Sequence, residues 1–332
     1  MRVLEKKADP GAKLHTTGLL VRDVMDEIDW LSEAPGEITR RIDGVRLYAP
    51  DMRSVELRAP GYYFLATDTP HMMRWMTDRA CRLGADVQLG AAYTRAERDG
   101  EGFVIEGFGR TDYLVGADGP KSPVARDLGL GINRSFLFGI EHEYADAQIA
   151  DPDLLHCFID RRLAPGYIGW VVSGVRQVQV GLARRADAPG RAKAAMAAFL
   201  EKIASVIDLR RITPTHVRAG LIPCGGVVSP VAADRVLLVG DSAGMVSPVT
   251  AGGIHTALRH GQAAGEAIAA FAAGEREDPS RWFIASYPKF RVKRALRWGF
   301  DQFQNDLMFN LLLGSAPMRA AARLIFFHRA RG

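Results

Sequence analysis

The sequence contains few cysteines and no long apolar run. Its three cysteines, at positions 81, 157 and 224, are far apart and form no Cys-x-x-Cys pair. A disulfide framework or a zinc site is therefore not expected, and a reducing, cytoplasmic setting fits. No stretch approaches the ~18 apolar residues that span a bilayer, and the amino terminus has no charged-then-apolar signal segment. The eight histidines form no spaced ligand cluster, so we predict no metal site.

The composition allows a folded chain with an uneven charge. The 332 residues are 48% hydrophobic, enough to bury one large core or two modest ones. The net charge is +5, yet the segment from Arg281 onward carries ten Lys and Arg against two Asp. Because this segment is also rich in aromatic residues, it predicts a basic helical cap that touches anionic lipid. An ordinary solvated basic face is the alternative. No recognition motif accompanies the charge, so nucleic acid is not an expected partner.

The most informative stretch runs from residue 235 to residue 261. An apolar run, Val236 to Val239, predicts a strand buried on both faces, and it ends at Gly240-Asp241. A loop of small residues follows, and Ala251-Gly252-Gly253 then opens a helix. The glycines allow a ligand to approach the backbone closely, and the first turn of the helix favours an electron-rich or anionic partner.

A second glycine-and-aspartate motif occurs at residues 113 to 126. A strand over Tyr113 to Val115 is predicted to stop at Gly116-Ala-Asp-Gly119, after which Ser122-Pro123 starts a helix. Both motifs place a carboxylate at the carboxyl end of a strand, where open α/β sheets bind ligands. We therefore expect the two strand ends to meet at one crevice.

Together these motifs resemble those of FAD-dependent oxidoreductases of the para-hydroxybenzoate hydroxylase type, and most closely those of the geranylgeranyl reductase family. The resemblance implies FAD as cofactor, with Asp241 on the ribityl chain and Asp118 and Gly119 beside the ribose and pyrophosphate. It also implies that the Gly252-Gly253-Ile254 amides face the pyrimidine end of the isoalloxazine. The full set of cofactor-binding residues that it implies is Glu5, Arg22, Asp118, Gly119, Asp241, Pro248, Gly252, Gly253 and Ile254.

The amino terminus departs from the family pattern. Arg2 to Glu5 reads as a strand that ends in the acid that hydrogen-bonds the adenosine ribose, ~20 residues beyond a Gly-x-Gly-x-x-Gly turn. No such turn precedes Glu5 here. The expectation is that the chain as written lacks the first βα unit, through a truncated sequence or a real loss, and binds FAD poorly.

The loop at Thr16-Thr17-Gly18 is predicted to run into a helix with an apolar face that starts at Val21. In the family this loop crosses the flavin, and an Arg at the place of Arg22 reaches the FAD phosphates. Alternatively, Arg22 is a solvated helix residue. Many family members carry a cysteine in the loop, whereas this sequence has His15-Thr16-Thr17. His15 is a candidate proton donor, although a lone loop histidine is usually neither base nor ligand.

Two alternating stretches, residues 37–65 and 136–183, predict an antiparallel sheet over a substrate cavity. Within the second stretch, Ala164 to Trp170 resembles the family's Pro-x-x-Tyr-x-Trp segment, which lines the isoprenoid cavity. The resemblance implies that Tyr167 and Trp170 contact substrate, while a plain core role for both is the alternative.

The predicted fold is α/β with an antiparallel sheet. It comprises a discontinuous Rossmann-like FAD-binding domain, a β-rich substrate domain and a helical carboxyl-terminal cap. The predicted boundaries are 1–36, 66–130 and 219–275 for the FAD-binding domain, 37–65 and 131–218 for the substrate domain, and 276–332 for the cap.

The reaction that the resemblance implies is reduction of carbon–carbon double bonds in an isoprenoid lipid, with NAD(P)H or ferredoxin as electron donor. The sequence identifies no catalytic acid or base. Three alternatives stay open at this point: an aromatic or polyketide FAD-dependent monooxygenase, a non-redox flavoprotein such as a cyclase, and a truncated non-catalytic fold. The predicted location is cytoplasmic, with peripheral membrane contact.

Overall fold

The computed structural model describes residues 1–186 and 191–327, apart from the side chain of Phe303. It divides into two compact units. The first comprises residues 1–12, 73–136 and 222–294, and the second comprises residues 13–72, 137–221 and 295–332. The domain boundaries predicted from the sequence stay a prediction, and residues 328–332 of the predicted cap and 187–190 of the predicted substrate domain lie outside the described residues.

Eighteen strands form within the described residues. They are β1 (Arg2–Glu5), β2 (Leu19–Val21), β3 (Thr39–Ile42), β4 (Gly44–Tyr48), β5 (Ser54–Leu57), β6 (Phe64–Thr67), β7 (Asp86–Leu89), β8 (Ala96–Asp99), β9 (Gly102–Ile105), β10 (Gly109–Thr111), β11 (Leu114–Gly116), β12 (Phe136–Ala145), β13 (Leu154–Phe158), β14 (Gly169–Ser173), β15 (Gln177–Arg185), β16 (His216–Pro223), β17 (Ala232–Ala233) and β18 (Val236–Leu238).

The α-helices of the same residues are mostly short. They are α1 (Arg22–Glu27), α2 (Thr69–Arg82), α3 (Pro123–Asp127), α4 (Arg191–Lys202), α5 (Ile254–Ala272), α6 (Ser280–Ser286), α7 (Arg291–Phe303), α8 (Asp306–Leu312) and α9 (Ala316–Phe326). None of the helices in the described part combines the length and the apolar content that crossing a bilayer requires.

The first unit contains the parallel strands. β1 pairs with β7, β11 pairs with β18, and β17 runs antiparallel beside β18. The strands β8, β9 and β10 form a separate antiparallel sheet. Apolar residues of β18, α3 and α6 fill one core, in which Leu237, Leu238 and Phe283 are fully buried. The continuous burial of β18 is typical of a strand covered on both faces, as its apolar run predicts.

The second unit is built around a seven-stranded sheet in the order β16-β12-β15-β14-β13-β4-β5, and a three-stranded sheet has the order β2-β6-β3. Because side chains alternate across a strand, each face of the large sheet has its own core. Leu47 and Val172 pack on one face, and Val171 and Val180 pack on the other against α4. Gly169 allows this close packing, since a Cβ there would lie 2.5 Å from the Phe199 ring.

One expectation about an individual element is corrected. Val21 ends β2, with extended backbone and pairing to Phe64, so the helix begins only at Arg22. The absence of a first βα unit stays a prediction.

Candidate functional site

The two glycine-and-aspartate motifs follow neighbouring strands of the first unit. β11 and β18 are parallel and in register, with Gly116 opposite Leu238. Asp118 therefore comes two residues after the end of β11, and Asp241 comes three residues after the end of β18. Since parallel strands end at the same sheet edge, both loops emerge there, which is where open α/β sheets bind ligands.

Side chains tie the two loops together. The Asn133 side-chain amide donates to the carbonyl oxygens of Pro120 and Asp241, over 3.1 and 2.8 Å. The buried Ser242 hydroxyl lies 2.6 Å from the Gly116 carbonyl oxygen, so it links the end of β11 to the turn after β18. Gly244 completes this turn with a φ of +70°, and a Cβ there would lie 2.4 Å from the Gly226 carbonyl. Only glycine fits at this position.

One carboxylate oxygen of Asp118 accepts a hydrogen bond, and the other has no hydrogen-bond partner within the described residues. Its Oδ2 accepts a hydrogen bond from the Val124 amide over 2.9 Å at the start of α3. Ser122 caps the same helix by accepting from the Ala125 amide. Oδ1 of Asp118 is buried and receives no hydrogen bond within the described residues. A buried acceptor of this kind requires a donor, so a ligand hydroxyl or water fits here.

Asp241 is mostly shielded from solvent, and no described residue donates a hydrogen bond to its carboxylate. Burial raises the pKa of Asp241 from its ordinary 3.8 to about 6. Desolvation disfavours the charged form, and among the described residues no nearby cation compensates for it. A ligand that brings hydroxyl donors to this carboxylate would stabilise its ionised form.

The loop before α5 is compact and ends in glycines, which have no side chain to cover the backbone amides. The Ser247 amide donates to the Gly252 carbonyl over 3.0 Å, and Pro248 is buried. Gly253 is the N-cap of α5, and no side chain in the described part of the protein caps this end of the helix. The amides around Ile254 thus stand at the positive end of a helix of 19 residues.

A cavity of about 260 Å³ lies beside the loop after β11. Its lining includes the two cationic residues Lys121 and Arg126, and it also includes Asn133 and Ser242, which join the two loops. The cavity thus combines positive charge with hydrogen-bonding groups, a chemistry that suits an anionic ligand.

The other predicted cofactor residues are placed as follows. Glu5 ends β1 in the first unit, and its Oε1 accepts a hydrogen bond from the Lys7 amide over 2.8 Å. Arg22 belongs to the second unit. Its guanidinium donates to the Gly61 carbonyl over 2.8 Å and lies 3.5 Å from Asp26. The structure thus brings Asp118, Gly119, Asp241 and the residues from Pro248 to Ile254 into one unit with Glu5, and the role of each stays a prediction.

The two predicted substrate residues belong to the second unit. The Trp170 side chain is half-buried, and its indole N–H donates to Glu141 over 3.0 Å. Burial raises the pKa of Tyr167 above its ordinary value. Trp170 also covers Gly181, where a Cβ would lie 2.2 Å from the indole ring.

Sequence reasoning missed Asn133 and Glu141. Asn133 lies in a segment with no motif, and only the tertiary contacts show that it joins two loops. Glu141 lies in β12 after a mainly apolar run and two residues before a second acid, Glu143, and acids in such a strand were the available signal.

Comparison with known proteins finds a matching family model and relatives of similar sequence. A family model described as an FAD binding domain matches residues 21–297. Digeranylgeranylglycerophospholipid reductase 2 of Methanopyrus kandleri is 29% identical, over 86% of this chain and 74% of the relative. The digeranylgeranylglycerophospholipid reductase of Methanocaldococcus jannaschii is 28% identical over 71% of this chain, and the match spans 63% of that relative's length.

Solved structures share the fold. A geranylgeranyl bacteriochlorophyll reductase-like protein from Thermoplasma acidophilum superposes with a TM-score of 0.81 at 18% identity, covering 98% of this chain and 90% of that one. CmlS, a flavin-dependent halogenase, superposes with a TM-score of 0.68 at 17% identity, covering 98% and 65%. These levels of identity show a common fold alone.

The residues of the first unit fit FAD on their own geometry. Asp118 presents a buried oxygen without a partner, and Asp241 presents a carboxylate that no described residue engages. Gly119 has a φ of +86°, and the space where a Cβ would stand is open, so a ligand can reach the backbone. The hydroxyls of such a cofactor require acceptors, which the two carboxylates provide. Its phosphates require exposed backbone and a helix N-terminus, which the glycine loops and the start of α5 provide.

Proposed function

The chain belongs to the FAD binding domain family of FAD-dependent oxidoreductases, and from this premise we propose that it reduces carbon–carbon double bonds of an isoprenoid lipid. The observation that carries the proposal is the meeting of two glycine-and-aspartate strand ends at one sheet edge. The curated relatives named digeranylgeranylglycerophospholipid reductase support the substrate class.

In this proposal, the first unit holds the cofactor. Asp241 accepts from ribityl hydroxyls, and Asp118 and Gly119 lie beside the ribose and pyrophosphate. Gly252, Gly253 and Ile254 would present backbone amides to the pyrimidine end of the ring, and Pro248 belongs to the same loop. Bound FAD, once reduced, supplies a hydride. Glu5 on the adenosine ribose and Arg22 on the phosphates belong to the same proposal.

The second unit holds the lipid in this proposal. Trp170 and Tyr167 contact the isoprenoid chain, and Trp170 packs against the apolar core that includes Leu47 and Val172. These apolar and aromatic surfaces bind a hydrocarbon chain and exclude water from it. The electron donor in this proposal is NAD(P)H or ferredoxin.

Peripheral contact with a membrane is a further part of the proposal. Leu307 and Leu311 lie four residues apart on α8 and are 65% and 70% exposed. Leu324 of α9 is equally exposed, and the basic Arg319 and Arg323 lie on the same helix. Exposed apolar side chains flanked by positive charge favour contact with anionic lipid.

The test uses the purified chain with added FAD, which is reduced by dithionite without oxygen and mixed with digeranylgeranylglycerophospholipid in detergent. We expect the flavin to reoxidise and the lipid to gain one H2 for each double bond reduced. A monooxygenase would instead consume oxygen with NADPH, and a cyclase would change the lipid with no net use of reductant. A non-catalytic fold would bind no flavin and leave the lipid unchanged.

A further inference from the structure

One row of residues crosses three neighbouring strands of the second unit. Trp170 of β14 pairs with Gly181 of β15, and Gly181 pairs in turn with Glu141 of β12. Residues that pair across neighbouring strands project from the same face of a sheet. The side chains of Trp170 and Glu141 therefore stand on one face, on either side of a residue that has no side chain.

The indole of Trp170 lies across Gly181. A Cβ on Gly181 would lie 2.2 Å from a carbon of the indole, so the ring rests directly on the backbone of β15. Two strand spacings, roughly 10 Å, separate Trp170 from Glu141, and the two long side chains meet across this distance. The indole N–H donates to Oε2 of Glu141 over 3.0 Å. The glycine and the carboxylate together define how the ring lies on the sheet.

The carboxylate of Glu141 is itself held in place. Glu141 is 4% exposed, and its Oε2 also accepts from the Thr17 hydroxyl over 2.5 Å. The Gln179 amide nitrogen lies 3.5 Å from its Oε1. Within the described residues, the groups that hydrogen-bond to this carboxylate are thus three neutral donors. An acceptor fixed by burial and by further hydrogen bonds imposes one orientation on the ring that donates to it.

The groups around Glu141 are also fixed. The Gln179 side chain is fully buried, and its amide donates to the Thr17 carbonyl over 3.1 Å. The second acid of the strand has a different partner, since Glu143 forms an ion pair of 2.6 Å with Arg218. Glu143 is as buried as Glu141 but does not contact the indole, so it provides a matched control.

We propose that Glu141 is a positioning residue that fixes the Trp170 ring for contact with the isoprenoid chain. The inference rests on the proposed function, in which Trp170 contacts the lipid. An indole N–H that bonds to Glu141 is turned away from the hydrocarbon, so the ring presents its apolar atoms to the chain. Without the acceptor, the part-buried N–H has no partner, and the ring turns to find one. Glu141 thus acts on the substrate through Trp170.

The first test measures KM and kcat for lipid reduction by the FAD-loaded, dithionite-reduced full chain with digeranylgeranylglycerophospholipid in detergent. E141M keeps the length of the side chain but has no acceptor. We expect its KM to rise about tenfold with little change in kcat, since a misplaced ring weakens lipid binding and not the chemical step. E141Q keeps an acceptor oxygen and should restore most of the wild-type KM. E143Q keeps the indole contact and should have the wild-type KM.

A second measurement needs neither flavin nor lipid. In a proton–nitrogen correlation spectrum of the chain labelled at its five tryptophans, W170F identifies the indole signal of Trp170. We expect this signal at low field and in slow exchange with solvent, because the N–H bonds to a buried carboxylate. E141M should move it upfield and speed its exchange, whereas E143Q should leave it unchanged. E141Q should move it less far, which keeps the test available if E141M does not fold.

The outcomes separate this inference from the proposed function. An indole signal that E141M and E141Q leave unchanged overturns the role of Glu141. A wild-type KM in E141M, or an equal rise of KM in E143Q, overturns it as well, because a general loosening of the sheet would affect both acids alike. A wild-type chain that binds flavin but leaves the lipid unreduced overturns the proposed function and the substrate contact. The indole signal then still decides whether Glu141 fixes the ring.

Discussion

The side-chain amide of Asn133 donates to the main-chain carbonyl of Asp241 over 2.8 Å, and the same nitrogen reaches the carbonyl of Pro120. One residue thus fixes the spacing of the two loops that leave β11 and β18. This relationship leads to the first prediction.

N133A is expected to lower the free energy of unfolding by about 1–3 kcal/mol, because two part-buried carbonyls lose their donor. It should also weaken FAD binding, since the two loops lose their fixed spacing. N133D places an acceptor against both carbonyls and should be at least as destabilising. Urea unfolding and quenching of flavin fluorescence measure the two effects. An N133A chain with wild-type stability and FAD affinity would contradict the role given to Asn133.

The second prediction concerns backbone access at Gly252. A Cβ at this position would meet only Thr250, at 3.5 Å, so G252A should fold with wild-type stability. It should nevertheless bind FAD more weakly, because the added methyl group occupies space that the isoalloxazine needs. G265A, in the middle of α5 where a Cβ meets nothing within 4 Å, is the matched control. We expect it to stabilise the helix by about 1 kcal/mol and leave FAD affinity unchanged.

The third prediction concerns pH. The pKa of Asp241 is raised from 3.8 to about 6 by burial, so the folded chain without FAD holds this proton more tightly than the unfolded chain. The stability that Asp241 contributes is therefore complete at low pH and is lost as pH rises toward about 6. Urea unfolding over a pH series should show this loss, and D241N should remove it.

The affinity for FAD should change with pH in the opposite direction, through the same residue. Hydroxyl donors prefer a carboxylate to a carboxylic acid, so FAD affinity should increase as Asp241 ionises. Fluorescence titrations below and above the pKa of about 6 test this for the wild type and D241N. Equal pH dependence in the two chains would exclude Asp241 as the responsible group.

The fourth prediction concerns the position of the indole. G181A places a Cβ 2.2 Å from the Trp170 ring, which forces the ring out of place and away from Glu141. Overpacking of this kind costs about 1–3 kcal/mol of stability, and lipid reduction should fall further than stability alone explains. G36A, in the same unit and with open space around its Cβ, is the control for substitution of a glycine. Thermal unfolding and the rate of lipid reduction are measured for both variants and compared with wild type. A G181A chain that reduces the lipid at the wild-type rate would contradict the role given to the Trp170 ring.

The fifth prediction concerns membrane contact. The double variant L307D/L311D should reduce binding to phosphatidylserine vesicles at least tenfold, because burial of two leucines contributes about 3 kcal/mol or more. L83D is the matched control, since Leu83 is 73% exposed at a position outside the basic cap. Cosedimentation measures the bound fraction. Equal losses of vesicle binding in both variants would indicate a general effect of the added charge instead of a membrane-docking surface.

The sequence alone determined the elements that depend on local pattern. The apolar run of β18, the Ser122 cap of α3 and the opening of α5 after Gly253 are confirmed, because burial, capping and glycine conformation act over a few residues. The resemblance carried by residues 113–126 and 235–261 also identified FAD, the oxidoreductase family and the fold. No such pattern marked Asn133.

Tertiary structure decided the remaining features. Asn133 acquires its role only when β11 and β18 lie side by side, since its two partners are 13 and 108 residues away. Glu141 meets Thr17 across 124 residues, and the nearby Arg218 forms its ion pair with Glu143. Long-range pairing and desolvation set these properties, and both depend on which distant side chains share a buried volume. Long-range pairing also decided the conformation of Val21. The apolar pattern indicated a helix there, but pairing with Phe64 makes Val21 a strand residue.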